Sequence, residues 1–491
     1  MKRIKRLFCL VLVVLFTFSG SFKVQASDYG SYLESMLEFA EEMYYGDFSD
    51  EEVFKASLRG FFQSLDPYSD FYDLEELAAF NRSINGNYAG IGAGLEKDDS
   101  AIKIIKIYEN SPAEKSGLME GDFITAVDGE SVAGKETGAV ASSIRGEVGT
   151  TVRITVLRGD KTLEFSIIRG TVTINPVHYR IEEDTAYIRI DSFNSGTSSK
   201  FEKAMDEVDR NGITKIILDL RSNPGGIVDE AVEIARRLMP PGIVTTLDYK
   251  SELLEDKVYS SSAKHAAYKV AVLADENTAS ASEILGGALE DSGSGFLVGQ
   301  QTYGKGVFQN MFAVLTPEAC KKYKDLYGVH YVAEFEWLNL EGVYPLEGEI
   351  FGAVKLTTGH YLTPKGRSID GIGLKPLITV ANPSYPNNVN LSLIKKLTNN
   401  DTLILNNYGE EVYNAERILK AAGYFTATAD KQFGSETQEA VKKYQVEAKL
   451  PVTGGIDQKT RDWLNNTLLE LRSKNDKQYS KALEALSLFR N

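Results

Sequence analysis

Three patterns of hydrophobic and polar positions follow one another along the chain, and the first of them is helical. Between Tyr29 and about Leu65, apolar residues recur at helical spacing with acidic residues between them. The recurring positions are Leu33, Leu37, Ala40, Tyr44, Phe54, Leu58, Phe61 and Leu65. Asp66 before Pro67 is a turn signal that ends this pattern. We therefore predict a helical region over residues 28–80, whose apolar face either covers the next domain or mediates a homodimer.

The second pattern, over residues 81–169, is the alternation that is typical of β-strands. Alternating or continuous apolar positions occur at Ile102, Ile104 and Ile107, over Phe123–Val127 before the turn signal Asp128-Gly129, and at Val152, Ile154 and Val156. Ser111 followed by Pro112 indicates the start of a short helix, and Gly117 indicates its end. These signals predict a mostly β domain that contains a short helix.

The third pattern alternates strand-like and helix-like segments over residues 171–380, which predicts an α/β domain. The predicted strands are Ala186–Ile190, Lys215–Leu220 and Val270–Ala274, and the predicted helices are Ser198–Val208, Val228–Leu238 and one that opens at Ser282. A polar linker over residues 381–405 leads to a helical module over residues 408–471, in which Ser435 and Gln438 are spaced as in a capping box. At 491 residues the chain exceeds one hydrophobic core, so the fold class is multi-domain α/β.

The first 26 residues have the composition of a signal peptide. Basic residues precede an apolar run from Leu7 to Phe18, and Val24-Gln25-Ala26 suits cleavage after Ala26. We expect a secreted, extracytoplasmic protein that is either cell-wall associated or, if the segment stays uncleaved, membrane-anchored. Removal of its five basic residues takes the net charge from −15 to −20, which argues against a nucleic-acid partner. Cys9 is removed with the signal peptide, so Cys320 has no partner for an internal disulfide.

Ser280 lies where the predicted strand Val270–Ala274 gives way to a helix. Backbone amides at a helix N-terminus stabilise the oxyanion that forms when a serine attacks a carbonyl, and Ala281 N–H is the natural donor. A second strand-to-helix junction, Asp219–Gly226, ends in Gly225 and Gly226. These two glycines either allow a substrate backbone to come close or form a tight turn that needs positive φ.

A nucleophilic serine needs a base, which is a histidine or a desolvated neutral lysine. The four histidines, His178, His265, His330 and His360, have no neighbouring cap or glycine motif, so a Ser-His-Asp triad lacks support in the sequence. Lys305 lies between Gly304 and Gly306, and Gln309 follows four residues later. A Gly-Lys-Gly sequence by itself favours a solvated turn.

Three segments together resemble the C-terminal processing (tail-specific) proteases, which use a Ser-Lys dyad on a crotonase-like core. The segments are Asp219–Gly226, Thr278–Glu283 and Gly304–Gln309, in this order. The resemblance implies that Ser280 is the nucleophile, that Lys305 is the base and that Gln309 orients the lysine. It also implies oxyanion donors among the amides of Gly225, Gly226 and Ala281, a structural role for Ser282, and a buried Lys305 because a solvated lysine stays protonated.

The flanking regions resemble two accessory domains. The glycines of Tyr88–Gly94 are wrongly spaced for a dinucleotide site, and the stretch to Arg169 resembles a PDZ domain. In a PDZ domain the loop Tyr88, Ala89, Gly90, Ile91 and Gly92 is expected to hold the C-terminal carboxylate of a peptide. Residues 408–471 resemble the small three-helix peptidoglycan-binding domain, which makes peptidoglycan a second expected partner.

These resemblances imply a secreted serine endopeptidase that selects protein C-terminal tails and works without a metal or cofactor. The alternative is a catalytically inactive scaffold that delivers partners through its PDZ and wall-binding modules. The long aromatic segment Pro317–Gly342 departs from the family pattern, and we expect it either to cover or to shape the substrate channel.

Overall fold

The structure is a computed structural model of the 491-residue chain. It describes residues 26–47, 49–98, 101–108, 110–159, 161–173, 175–252, 254–262, 268–327 and 345–488. Residues 1–25 of the expected signal peptide, with Cys9, lie outside this set, as do His265, His330 and residues 328–342 of the long aromatic segment. None of the helices within the described residues is long and apolar enough to cross a membrane.

The first compact unit ends at Ser64, and its described residues form two helices, α1 (Ala26–Met43) and α2 (Asp50–Gln63). The Ser49 side chain caps α2 by accepting a hydrogen bond from the N–H of Glu52 at 3.3 Å. Three acidic residues in its first turn interact favourably with the helix dipole. On α1 several large apolar residues are exposed, among them Tyr32, Leu33, Phe39 and Met43.

The second unit begins at Leu65, and its first elements are β1 (Asp70–Asp73) and α3 (Leu74–Ile84). The mostly β region follows, with these elements: β2 (Asn87–Gly90), β3 (Ala93–Asp98), β4 (Ala101–Ile107), α4 (Pro112–Ser116), β5 (Phe123–Val127), β6 (Glu130–Ser131), α5 (Thr137–Ile144), β7 (Thr151–Arg158), β8 (Lys161–Ile168) and β9 (Gly170–Thr173). Its main sheet has the order β3-β4-β5-β7-β8, with β6 on β5, while β2 pairs with β9. As the sequence predicts, Ser111 caps α4, and Gly117 ends it with a φ of +85°.

The α/β region contains β10 (Val177–Glu182), β11 (Thr185–Ile190), α6 (Thr197–Arg210), β12 (Lys215–Asp219), α7 (Val228–Leu238), β13 (Gly242–Tyr249), β14 (Lys257–Ser261), β15 (Lys269–Ala274), α8 (Ala281–Ser292), β16 (Gly295–Gly299), β17 (Val307–Leu315), α9 (Pro317–Tyr327), β18 (Ile350–Leu362) and β19 (Ile378–Thr379). One sheet has the order β10-β11-β12-β15-β16-β19, and all its pairs except β10–β11 are parallel. A second sheet has the order β1-β18-β13-β14, with β17 also on β18. In a parallel sheet the loops after neighbouring strands meet at the carboxyl edge, so the loops after β12 and β15 lie together.

The C-terminal region contains α10 (Glu410–Ala421), α11 (Ser435–Glu447), α12 (Gln458–Asn475) and α13 (Lys477–Leu488), preceded by 3₁₀ turns at Pro386–Asn388 and Leu391–Leu393. The predicted capping box at Ser435 is wrong. Gly434 is the N-cap, and Gln438 N–H bonds to the Gly434 carbonyl at 3.0 Å, so Ser435 already lies inside the first turn.

Helix α13 contacts the preceding helix α12, but it packs mainly on the strands of the α/β core. Its residues Tyr479, Ala482 and Leu486 share a buried cluster with Tyr187, Ile217, Ala271, Leu273, Phe296 and Val298 of the parallel sheet. The last helix therefore covers one face of the α/β core, a role that the sequence did not reveal. The predicted fold class is otherwise confirmed: a multi-domain α/β protein with a mostly β domain before the core and a helical C-terminal region.

Candidate active site

Ser280 is the last residue before α8, on a sharp turn after β15. Its backbone has φ +56° and ψ −119°, a conformation that costs a residue other than glycine about 1–3 kcal/mol. The turn is fixed by two bonds to the Asn223 carbonyl, from Ala279 N–H and from the Ser282 hydroxyl, both at 3.1 Å. Ser282 is thus bound to the backbone of the neighbouring loop, while Ala281 N–H forms no hydrogen bond with any described residue.

Gly225 lies directly against this turn. A Cβ atom added to Gly225 would lie 2.8 Å from Ser280 Cβ and 2.9 Å from Ala281 N, and its φ is +101°. The interpretation as a tight turn with positive φ therefore applies to Gly225, and the backbone that comes close to it is that of the Ser280 turn. Gly225 N–H donates to Asn223 Oδ1 at 2.9 Å, whereas Gly226 N–H has no partner among the described residues.

The Lys305 side chain is partly buried beside the predicted Gln309. Lys305 Nζ donates to Gln309 Oε1 at 3.2 Å and lies 4.4 Å from the centre of the Tyr68 ring. Burial lowers the pKa of the Lys305 amine, and the positive charge of Lys355 lowers it further, against the opposing effect of Asp66. The lysine is thus shifted towards the neutral form that a general base needs.

Glu283 connects the two loops. Its Oε2 accepts hydrogen bonds from Ser280 N–H at 2.8 Å and from Lys305 N–H at 3.0 Å. Its Oε1 accepts from the Thr302 hydroxyl at 2.5 Å and from Gly304 N–H at 2.8 Å. Burial raises the pKa of this carboxyl, although these four bonds oppose the rise. A single buried side chain therefore fixes the loop of Ser280 relative to the loop of Lys305.

Tyr361 adds a second connection between these loops. Its hydroxyl bonds to the carbonyl of Ser280 at 3.1 Å and to the carbonyl of Lys305. Neither connector was predicted from the sequence. Glu283 was visible only as the end of the Thr278–Glu283 segment, and nothing in the pattern around Tyr361 indicates its position beside the site.

In the part of the chain that the structure describes, no hydrogen bond joins the Ser280 hydroxyl to Lys305 Nζ. Two histidines pair with aspartates elsewhere: His178 Nε2 lies 3.1 Å from Asp191 Oδ2, and His360 Nε2 lies 3.0 Å from Asp248 Oδ2. Neither bonds to Ser280 in that part of the chain. Within the described residues, no group of three or more His, Cys, Asp or Glu side chains is arranged to hold a metal ion.

A groove of about 350 Å³ lies in the mostly β region. Its lining is largely apolar and comprises Ala89, Gly90, Ile91, Gly92, Ala93, Leu95, Tyr108, Ala141, Ile144, Arg145 and Val172. Four of the five predicted peptide-binding residues are in this lining. The fifth, Tyr88, lies in β2, where its backbone pairs with Val172. The N–H groups of Ile91 and Gly92 bond to no described residue, so they are available to a carboxylate.

Three family models match the chain. Peptidase family S41 matches residues 184–380, the PDZ domain matches residues 89–168, and the putative peptidoglycan binding domain matches residues 408–464. The chain is 31% identical over 437 residues to a probable CtpA-like serine protease of Staphylococcus haemolyticus, covering 88% of this chain and 80% of the relative. A protein of the same description from Staphylococcus epidermidis is 30% identical, with 90% and 83% of the two chains covered.

Solved structures with similarity to the chain include the photosystem II D1 C-terminal processing protease. It is 26% identical, with a TM-score of 0.40, and the match covers 70% of this chain and 86% of that protein. The PDZ domain of a carboxy-terminal protease from Vibrio cholerae, solved in complex with peptide, is 32% identical. Its TM-score is 0.17, and the match covers 18% of this chain and 99% of that domain.

Proposed function

Because the chain belongs to the CtpA-like serine proteases, we propose that it is a secreted endopeptidase that binds protein C-terminal tails and cleaves with a Ser280–Lys305 dyad. The observation that carries this proposal is the arrangement around Glu283. A serine on a strained turn and a partly buried lysine are attached to the same carboxylate, and a helix N-terminal amide beside the serine has no described partner. A structural turn has no need of this combination.

The proposed reaction is acyl transfer. Ser280 Oγ attacks the scissile carbonyl carbon while neutral Lys305 takes the hydroxyl proton, and the resulting oxyanion accepts hydrogen bonds from Ala281 N–H and Gly226 N–H. Lys305 then gives its proton to the leaving amine as the peptide C–N bond breaks, which leaves an acyl-enzyme. Lys305 then takes a proton from water as the water oxygen attacks the ester carbonyl, and it returns that proton to Ser280 Oγ as the ester C–O bond breaks. Gln309 keeps the lysine side chain oriented throughout.

The absence of a hydrogen bond between the Ser280 hydroxyl and Lys305 Nζ among the described residues is compatible with this role. Catalytic hydrogen bonds are often long or misaligned without substrate and tighten in the Michaelis complex. Gly225 N–H is also bound to Asn223 without substrate, so we assign the oxyanion contacts to Gly226 and Ala281.

Tail recognition is proposed for the groove of the PDZ domain. Its apolar lining suits an apolar C-terminal side chain, and the amides of Ile91 and Gly92, which bond to no described residue, suit the terminal carboxylate. Fluorescence polarisation with a labelled peptide ending in an apolar residue tests this, with its C-terminally amidated form as the matched control. Equal binding of the acid and the amide contradicts carboxylate recognition.

Cleavage is tested with Ser280→Ala and Lys305→Ala, assayed by mass spectrometry on an unstructured peptide with an apolar C-terminus. Both variants are expected to lose activity by at least about 10³-fold, as removal of a covalent nucleophile or its base does in serine proteases. Matched controls at exposed positions are Ser260→Ala and Lys375→Ala, which should keep wild-type rates. Wild-type activity in either dyad variant contradicts the dyad, and an inactive wild-type protein that still binds tails supports the scaffold alternative.

We also propose that the protein acts outside the cytoplasm in contact with the cell wall. The leader-like first 26 residues and the match of residues 408–464 to a peptidoglycan-binding domain support this proposal. The full-length protein should sediment with purified peptidoglycan, and soluble peptidoglycan fragments should release it. Deletion of the C-terminal region is unsuitable as a control because α13 forms part of the α/β core. Retention in the supernatant contradicts wall binding.

A further inference from the structure

The turn at Asp66–Ser69 belongs to the surroundings of Lys305, although it lies well over 200 residues earlier in the chain. Asp66 Oδ1 accepts hydrogen bonds from Tyr68 N–H at 2.7 Å and from Ser69 N–H at 2.9 Å. Its Oδ2 accepts from the Ser69 hydroxyl at 2.7 Å. The aspartate therefore fixes the backbone of the turn and, with it, the direction of the Tyr68 side chain.

A chain of hydrogen bonds connects this turn to Lys305. Thr357 N–H donates to Ser69 Oγ at 3.1 Å, and the Thr357 hydroxyl donates to Asp66 Oδ1 at 3.2 Å. Gln309 Nε2 donates to Thr357 Oγ1 at 3.1 Å, and Gln309 Oε1 accepts from Lys305 Nζ. The Tyr68 ring covers the same Nζ from another side at 4.4 Å. The turn thus contacts the lysine directly through the ring and indirectly through Gln309.

We propose that Tyr68 is a positioning residue whose ring excludes water from the Lys305 amine and holds it at the active site. This inference rests on the proposed function, in which Lys305 is the general base. Asp66 and Thr357 support it by fixing the ring and the amide of Gln309, respectively. Tyr68 itself takes no proton from Ser280.

The hydroxyl of Tyr68 is not the active part of the side chain. Burial and a hydrogen bond with Tyr303 raise the pKa of Tyr68 to about 12, so the phenol stays neutral at physiological pH. A neutral aromatic ring attracts an ammonium through its face, an effect of about 0.5–2 kcal/mol. The same ring also replaces water around the amine, and desolvation lowers a lysine pKa.

The desolvating effect decides the sign of the prediction. If the ring is removed, water reaches the Lys305 amine and solvates the ammonium at least as well as the ring face does, so the pKa rises. The other titratable or charged groups around Lys305 stay in place. Asp66 and Lys355 act on the charge of the Lys305 amine, and Glu283 and Tyr361 bond to the Lys305 backbone. Tyr303 bonds to Tyr68, and Asp370 bonds to Gly306 N–H. A change in Tyr68 alone therefore reports on the ring.

The test compares Tyr68→Phe, which keeps the ring, with Tyr68→Ala, which removes it. The pH dependence of kcat/KM is measured on the full-length protein with a quenched fluorescent peptide that has an apolar C-terminus. Tyr68→Phe should stay within about twofold of wild type. Tyr68→Ala should lose at least about tenfold at pH 7 and recover as the pH rises, because the acid limb moves up by about one pH unit. A wild-type acid limb in Tyr68→Ala overturns the proposal.

A second readout does not depend on activity. Reductive methylation with ¹³C-formaldehyde labels the lysines, and the Lys305 signal is the one that is missing in Lys305→Arg. Its NMR titration should show a higher pKa in Tyr68→Ala than in Tyr68→Phe, and equal values overturn the role of the ring. If Lys305→Ala keeps full activity, the dyad assignment is wrong, but the titration still tests whether the Tyr68 ring lowers the pKa of Lys305. Tyr68→Leu replaces Tyr68→Ala if thermal unfolding shows that the alanine variant is not folded, with a smaller rise in pKa expected.

Discussion

Arg221 and Asp476 form a buried pair of hydrogen bonds, at 2.9 Å from Nη1 to Oδ1 and 3.0 Å from Nη2 to Oδ2. The guanidinium also binds Asp219, from Nε to Oδ1 at 2.9 Å and from Nη2 to Oδ2 at 2.6 Å. Arg221 belongs to the turn that carries Gly225 and Gly226, and Asp476 lies between α12 and α13. The end of the chain therefore helps to hold the turn that contacts Ser280.

Asp476→Ala should destabilise the protein and reduce its activity. Removing one partner of a buried pair leaves an uncompensated charge and costs about 3–5 kcal/mol, and here the lower end is expected because Asp219 still binds Arg221. Urea unfolding and the cleavage assay measure the two effects. Glu484→Ala, which breaks the exposed Lys481–Glu484 pair of α13, should change stability by less than about 1 kcal/mol. Equal effects of the two variants contradict the structural role of Asp476.

Gly225→Ala should abolish cleavage because the new methyl group has no room beside the nucleophile. It would lie 2.8 Å from Ser280 Cβ and from the Ala279 carbonyl oxygen, so the Ser280 turn must move. The positive φ adds a separate cost of about 1–2 kcal/mol. Gly212→Ala isolates that cost, since Gly212 has a φ of +64° and open space around its Cβ position. We expect Gly212→Ala to keep its activity, and comparable losses in both variants would contradict the crowding argument.

Glu283→Gln should reduce kcat and stability together. Each Glu283 oxygen accepts two hydrogen bonds, so in either orientation the new NH₂ group faces two donors that lose their acceptor. Buried donors without a partner cost about 1–3 kcal/mol. Glu290→Gln, on the same helix and paired with Arg367 at a partly exposed site, is the matched control with little expected effect. A Glu283→Gln protein with wild-type kcat shows that the two loops are held by other contacts.

Local signals in the sequence predict the fold and the region of the site well. Ser111-Pro112 with Gly117 marks a five-residue helix, which the structure contains, because its cap residues act on neighbouring backbone groups. The strand-to-helix position of Ser280 follows from the apolar run Val270–Ala274 and from the helical spacing of apolar residues after it. Such signals are visible because their physical cause lies within a few residues of the motif.

Contacts between distant parts of the chain are not visible in this way. Asp476 meets Arg221 across 255 residues, and Tyr68 meets Lys305 through a turn that the pattern marks only as a helix stop. The position of α13 on the parallel sheet depends on the shape of an apolar sheet face and not on its own periodicity. The wrong capping box at Ser435 has a local cause, since Gly434 provides the first carbonyl of the helix one residue earlier.

The stability of the protein should fall as the pH rises, because Glu416 in α10 is fully buried. Its carboxylate accepts from the Thr437 hydroxyl at 2.6 Å and from Asp430 N–H at 2.9 Å. Burial, reinforced by the negative charge of Asp430, raises the pKa of Glu416 from 4.5 to about 8, although Lys103 opposes this. The folded protein thus binds this proton more tightly than the unfolded chain does. Stability that is fully present below about pH 4.5 is lost as the pH rises through about 8.

Glu416→Gln should remove this pH dependence, since the amide has the shape and hydrogen-bonding groups of the protonated acid. The free energy of unfolding in urea, measured from pH 5 to pH 8, should fall in the wild type with a slope of at most about 1.4 kcal/mol per pH unit. In Glu416→Gln the free energy of unfolding should fall with pH much less steeply, because most of the wild-type slope is removed. Glu439→Gln, at an exposed position of α11, should keep the wild-type slope. Parallel curves for wild type and Glu416→Gln would show that Glu416 is ionised in the folded protein across this range.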